Sequence, residues 1–234
     1  MPAVRLYIEL IGAVTILLAA WLMTRFVDKR PFLSLGFTPT HIAPDVLLGL
    51  SIGLGMMAVS VAVLWSAGWA IPQTDVLFSL SVLAVVGVAM LVNTVTQEVL
   101  VRGYIQQTIQ SQYGAVRAVF ISAFIFMLLH LGAIKGAPLP AINLFAAGLL
   151  LGVAYAITTN LWLPIALHFG WNFLEGPVLG LTVSGQAVDS GWRVFHLVGP
   201  DLFTGGAFGM EGGLIATATT VLGIAALLLL RSRE

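Results

Sequence analysis

Cysteine is absent from the 234 residues, which excludes a disulfide scaffold, a thiolate metal site and a cysteine nucleophile. Charge is scarce. Asp, Glu, Lys and Arg together make up 9% of the chain, against about 25% in an ordinary soluble domain. Ten Lys+Arg balance ten Asp+Glu, so no basic field exists to hold nucleic acid. Hydrophobic residues reach 59% and the mean hydropathy is +1.02. Such a chain has too little polar surface to cover a soluble globule and too much apolar surface to stay disordered. These absences leave a polytopic membrane protein.

Seven apolar stretches approach the roughly 20 residues that a spanning helix needs: 6–26, 46–70, 77–105, 118–135, 139–158, 162–181 and 212–230. The alternating ten-residue strands of a membrane barrel are missing, and a helix bundle is the other way to satisfy backbone groups in lipid. The expectation is an all-α polytopic membrane protein, a bundle of about seven transmembrane helices in one domain, 1–234, with no linker long enough to divide it. The first stretch carries Glu9 and lacks a small-x-small cleavage site, so it reads as a retained helix. Arg25, Lys29 and Arg30 follow it and place that loop in the cytoplasm. Counting spans puts Arg117, Arg231 and Arg233 on the same side, and Arg5, Lys135 and Arg193 on the other. The chain then has its N-terminus outside and its C-terminus cytoplasmic. Three glycine pairs at four-residue spacing, Gly49/Gly53, Gly148/Gly152 and Gly176/Gly180, predict close helix contacts.

A charged side chain at mid-bilayer costs about 2.5–3.5 kcal/mol on insertion scales, so polar residues inside apolar runs are the informative ones. Glu98 and Arg102 interrupt one run and share a helix face four residues apart. They are either a structural ion pair or a carboxylate kept ionised for use as a base. Gln97 points about 100° away from Glu98 around the helix. Phe126 and His130 share a face of the next apolar helix, and His168 and Asn172 share a face of a later one, with Glu175 close to that stripe. Each pair alone is compatible with interhelical packing. Together they offer bases, a second imidazole and oxyanion donors, the set that hydrolysis by an activated water needs.

The order Gln97-Glu98-x-x-x-Arg102, Phe126-x-x-x-His130 and His168-x-x-x-Asn172 resembles the three motifs of the CAAX protease and bacteriocin-processing family (CPBP, also called ABI), related to CAAX prenyl protease type 2. Gly103-Tyr104 and Ser34-Leu35-Gly36-Phe37 are similar to the family as well, and the motif-bearing core spans about 77–181. The resemblance implies a four-helix catalytic core and an intramembrane endopeptidase of prokaryotic type in the plasma membrane. Its substrate would be a membrane-associated protein or peptide, entering laterally or from the cytoplasmic side. It implies that the motif-one glutamate and His130 activate water while His168 and Asn172 stabilise the oxyanion. Arg102 and Phe126 would support them. The family carries two glutamates where this chain has Gln97 then Glu98. Glu98 then serves as the base, or the protein is an inactive relative that regulates membrane partners, or Gln97 is an inactivating change. A small proton-relaying transporter is a further alternative. No metal is required by this scheme; a zinc ion, if used, would take Glu98, His130 and His168.

One geometric consequence follows. His130 lies about twelve residues into its span, about 18 Å at 1.5 Å per residue. Glu98 shares a water with it only if its own helix runs on through Arg102 to about residue 110. Glu98 would then sit in a water-filled cavity below the cytoplasmic surface.

Overall fold

A computed structural model of the chain describes residues 2–73, 78–134, 136–192 and 194–231. Lys135, Arg193 and Arg233, used above in the charge count, lie outside the described residues, as does the expected start of the third span at 77. Seven apolar helices carry the fold. They are α1 (Pro2–Val27), α2 (Ile42–Ser66), α3 (Leu80–Tyr113), α4 (Ala115–Leu129), α5 (Pro138–Thr158), α6 (Trp162–Phe173, continued by a π-helical turn Leu174–Val178) and α7 (Leu214–Arg231). Each corresponds to one of the seven apolar stretches. α1, α2, α3 and α5 are long and apolar enough to cross a membrane by themselves. The protein is an all-α polytopic membrane protein. Among the described residues one small sheet pairs β1 (Ala70–Pro72) antiparallel to β2 (Phe195–Leu197).

Local chemistry sets the helix ends. The Ser79 hydroxyl accepts from the Val82 amide and caps the start of α3. Pro138 opens α5, where its missing N–H costs nothing. Gly114, at φ +82°, breaks the chain between α3 and α4. α3 is one helix of 34 residues. It stays helical through Arg102 as expected, with a π-helical stretch over Val99–Gln106.

α2 packs along α6, α4 along α5, α1 along α3, and α7 against α5 and α2. Glycines make two of these contacts possible. A Cβ at Gly53 would lie 2.3 Å from the Leu167 carbonyl oxygen of α6, and one at Gly148 would lie 2.8 Å from the Ala123 Cα of α4. The third glycine pair differs from expectation. Gly176 faces Val183 and Val188 of the following loop, and Gly180 lies beyond the helix at φ +76°, so this pair turns the chain instead of joining two helices.

The bundle has two distinct ends. At one, the 3₁₀ turn Phe32–Leu35 and Gly36 fill the space between α3, α5 and α6. Leu35 is fully buried, Gly36 O accepts from the Leu161 amide at 2.9 Å, and Trp162 Nε1 donates to Thr38 O at 2.8 Å. Gln107 Nε2 donates to Ser34 O and to the Tyr155 hydroxyl. Arg25, Lys29 and Arg30 belong to this end. The other end is built from the β1–β2 ribbon and the connection between α6 and α7.

Gly53→Ala is expected to destabilise the fold by about 1–3 kcal/mol, the usual cost of overpacking. Gly55→Ala, two residues away with nothing within 4 Å of its Cβ, is expected to be neutral or stabilising by up to about 1 kcal/mol. Thermal unfolding in detergent measures both.

Candidate active site

The π-helical stretch of α3 carries Arg102 one turn beyond Glu98, and both side chains are fully buried. Such stretches are rare and cluster at functional sites. Arg102 Nη1 donates to Glu98 Oε1 at 3.0 Å, and Nη2 donates to the Gly148 carbonyl of α5 at 3.0 Å. The guanidinium carbon lies 4.5 Å from the Phe126 ring centroid, a cation–π contact with α4. One arginine thereby ties α3, α4 and α5 together.

His168 of α6 reaches the same carboxylate, with Nδ1 at 2.8 Å from Glu98 Oε1. Oε1 is an acceptor already bonded to Arg102, so His168 Nδ1 carries the proton of this contact. Nε2 of the neutral ring then holds a lone pair. His130 follows the last residue of α4, and its Nδ1 lies 2.8 Å from the Phe126 carbonyl. A carbonyl only accepts, so His130 is likewise protonated at Nδ1 and free at Nε2. The Phe126 ring stands between the two imidazoles, 4.7 Å from His130 and 5.8 Å from His168. Five of the expected residues, Glu98, Arg102, Phe126, His130 and His168, thus form one cluster drawn from three helices.

His168 and Asn172 line a common cavity with Phe126, Asn143, Trp171, Ser184 and Glu211. It measures about 590 Å³ including its mouth, of which about 60 Å³ admits the centre of a water molecule. One water needs roughly 10–15 Å³ on that measure, so the cavity holds a few. Ser184 and Glu211 belong to the connection between α6 and α7, at the end opposite Arg25, Lys29 and Arg30. At the basic end the turn Phe32–Leu35 packs Leu35 against the bundle, and Gly36 O accepts from the Leu161 amide.

Gln97 stands apart from the cluster. Its Nε2 donates to Asn93 Oδ1 at 2.7 Å, and Asn93 Nδ2 donates to Glu9 Oε2 of α1 at 2.8 Å. The two residues on either side of the peptide between 97 and 98 face different helices, as the 100° step around the helix requires. Glu98 Oε1 accepts from Arg102 and His168, while His130 and His168 each keep Nε2 open. No group of three His, Cys, Asp or Glu among the described residues is placed to share a metal ion.

Glu211 was not singled out by sequence. Trp171 Nε1 donates to its Oε1 at 3.0 Å, Ser184 Oγ donates to Oε2 at 2.9 Å, and the Ser184 amide donates to Oε2 as well. The available signal was a lone glutamate among five glycines, residues 205–213, directly before an apolar span.

A family described as "Rce1-like: Type II CAAX prenyl endopeptidase Rce1-like" matches residues 79–174. The matched segment runs from the cap of α3 into the π-helical turn of α6 and contains all three motifs. No curated protein and no solved structure matches the chain.

Removing one partner of a buried ion pair costs about 3–5 kcal/mol because the other charge is stranded. Arg102→Met and Glu98→Gln are each expected to destabilise strongly, and the double variant is expected to lose less than the sum of the two. A double-mutant cycle on thermal unfolding in detergent reads the coupling; additive losses would contradict the pairing.

Proposed function

Because the motif-bearing segment, residues 79–174, belongs to the Rce1-like family of type II CAAX prenyl endopeptidases, we propose that this integral membrane protein hydrolyses a peptide bond in a membrane-associated protein or peptide. The observation that carries the reading is the 2.8 Å contact between Glu98 Oε1 and His168 Nδ1 beside a water-sized cavity.

The hydrogen-bond directions support a division of labour. With Nδ1–H held by Glu98, neutral His168 presents Nε2 as an acceptor, not as an oxyanion donor. His168 takes a proton from the attacking water at Nε2, and Glu98 stabilises the imidazolium that results. The water oxygen bonds to the scissile carbonyl carbon. Asn172, one helical turn on and lining the same cavity, donates its amide N–H to the developing oxyanion. The tetrahedral intermediate collapses as the C–N bond breaks, and His168 returns its proton from Nε2 to the leaving nitrogen. Atoms and charge balance with no metal in the sequence of steps. His130, with Nε2 also free, accepts a second hydrogen bond from the water and orients it. Arg102 holds Glu98 in place through the Nη1–Oε1 hydrogen bond.

This assignment moves His168 from oxyanion donor to base and Glu98 from base to its orienting partner. The basic residues at one end support a cytoplasmic face there, with the N-terminus outside and substrate reaching the cavity laterally or from the non-cytoplasmic end.

Cleavage of a membrane-protein or peptide pool, read by mass spectrometry of the new termini, tests the proposal. His168→Ala and Glu98→Gln are each expected to lower the rate by about 10²–10⁴-fold, and Asn172→Ala by about 10²–10³-fold. Gln97→Ala is expected to change it less than threefold. Proteolysis seen only in Gln97→Glu would instead identify the natural chain as an inactive relative.

A further inference from the structure

Glu211 is the one carboxylate that lines the cavity, and neither the three motifs nor the matched segment includes it. All three of its side-chain contacts come from donors: the Trp171 indole, the Ser184 hydroxyl and the Ser184 amide. A carboxylate accepts about four hydrogen bonds, so one direction remains for another donor. Among the described residues Glu211 has no ion-pair partner. Arg102, the buried cation of the cluster, is engaged by Glu98.

The position of Glu211 is built rather than incidental. Its carbonyl accepts from Asn143 Nδ2 of α5 at 2.7 Å; the same amide donates to Gly213 O at 2.9 Å, and the Thr217 hydroxyl donates to Asn143 Oδ1 at 2.6 Å. The loop before it admits no side chain at its tightest point, since a Cβ at Gly205 would lie 1.8 Å from Gly209 O. Trp171, which holds Oε1, lies between His168 and Asn172 on α6. Glu175, one turn further along the same helix, is fully buried. The cavity therefore has an apolar wall, a dyad at one side and, at the other, a carboxylate with no ion-pair partner among the described residues.

We infer that Glu211 forms the anionic end of a subsite that binds a cationic side chain, lysine or arginine, of the substrate beside the scissile bond. The substrate assignment rests on the endopeptidase reading; the binding of a cation in this cavity does not. A part-buried carboxylate whose partners are neutral donors gains from a ligand that brings the opposite charge.

Isothermal titration of the protein in nanodiscs with benzylamine and with benzyl alcohol isolates the charge, because the two probes have the same shape. Benzylammonium is expected to bind at least tenfold more tightly, and Glu211→Gln is expected to bring the two within twofold. Ser184→Ala, which keeps the carboxylate, is expected to retain most of the preference. Equal affinities in the natural protein, or a preference that survives Glu211→Gln, overturn the subsite. If Glu211→Gln does not fold, Glu211→Asp serves: the shortened carboxylate is expected to weaken benzylammonium alone, and equal weakening of both probes overturns the assignment. A degenerate peptide pool separates the two readings. Basic residues enriched at one position beside the cleaved bond, and lost in Glu211→Gln, support both; cleavage with no basic preference overturns the substrate class. No cleavage with the ammonium preference intact overturns the endopeptidase reading and leaves the cation subsite standing.

Discussion

Two full charges with no exposed surface lie inside a bundle of apolar helices, and the geometry around them follows from matching them. Glu98 and Arg102 each bear a desolvation cost of several kcal/mol if left alone. Arg102 spreads its donors over Glu98 on its own helix and the Gly148 carbonyl on α5, and lays its guanidinium face over Phe126 of α4. For the second of these contacts α5 must lie close against α4. Gly148 permits that, since a Cβ there would lie 2.8 Å from the Ala123 Cα. The small-residue contact and the ion pair are two parts of one arrangement. Phe126 adds a third part: its ring packs between the two imidazoles, and its carbonyl sets the tautomer of His130.

Stability alone does not explain such a pair. Apolar residues of similar volume are often as stable or more so in place of a buried ion pair. What an apolar substitute would lack is an acceptor for His168 Nδ1. Without Glu98 Oε1 the imidazole has no fixed tautomer, and the nitrogen facing the cavity is not defined as donor or acceptor. The pair converts a charge that would be costly in the membrane into the orientation of a neutral ring. It also matches the two charges of that part of the site to each other, while Glu211 enters the cavity from a loop more than a hundred residues later.

The helices and the cluster were legible because apolar runs are long in a membrane protein and polar residues within them are few. Glu98, Arg102, Phe126, His130 and His168 each stood out against Leu, Val and Ala, and their four-residue spacing put each pair on one face. The continuation of α3 through Arg102 followed from requiring Glu98 and His130 to meet. Other features depend on tertiary contact. The hydrogen-bond direction at His168 depends on Arg102 occupying the same oxygen, which spacing does not reveal. Glu211 comes from a glycine-rich loop whose path is set by backbone approaches such as Gly205 to Gly209. Two residues of the connection between α6 and α7, Ser184 and Glu211, line the cavity.

Position 97 is explained by its own neighbours. Asn93 donates to Glu9 with its Nδ2, which leaves its Oδ1 turned to the next residue along the stripe. Only a donor satisfies that oxygen in a partly buried helix interface, and Gln97 Nε2 supplies it. An ionised glutamate there would set an acceptor against Asn93 Oδ1 and a second negative charge near Glu9, with no cation of α1 or α3 shown to balance it. The glutamine thus completes a polar chain between α1 and α3, on a face of α3 that the cluster does not use. Seen from the chemistry of the cavity it is a missing carboxylate. Seen from the packing of α1 it is the side chain that the Glu9–Asn93 pair requires, and the constraint on this position comes from that side of the helix.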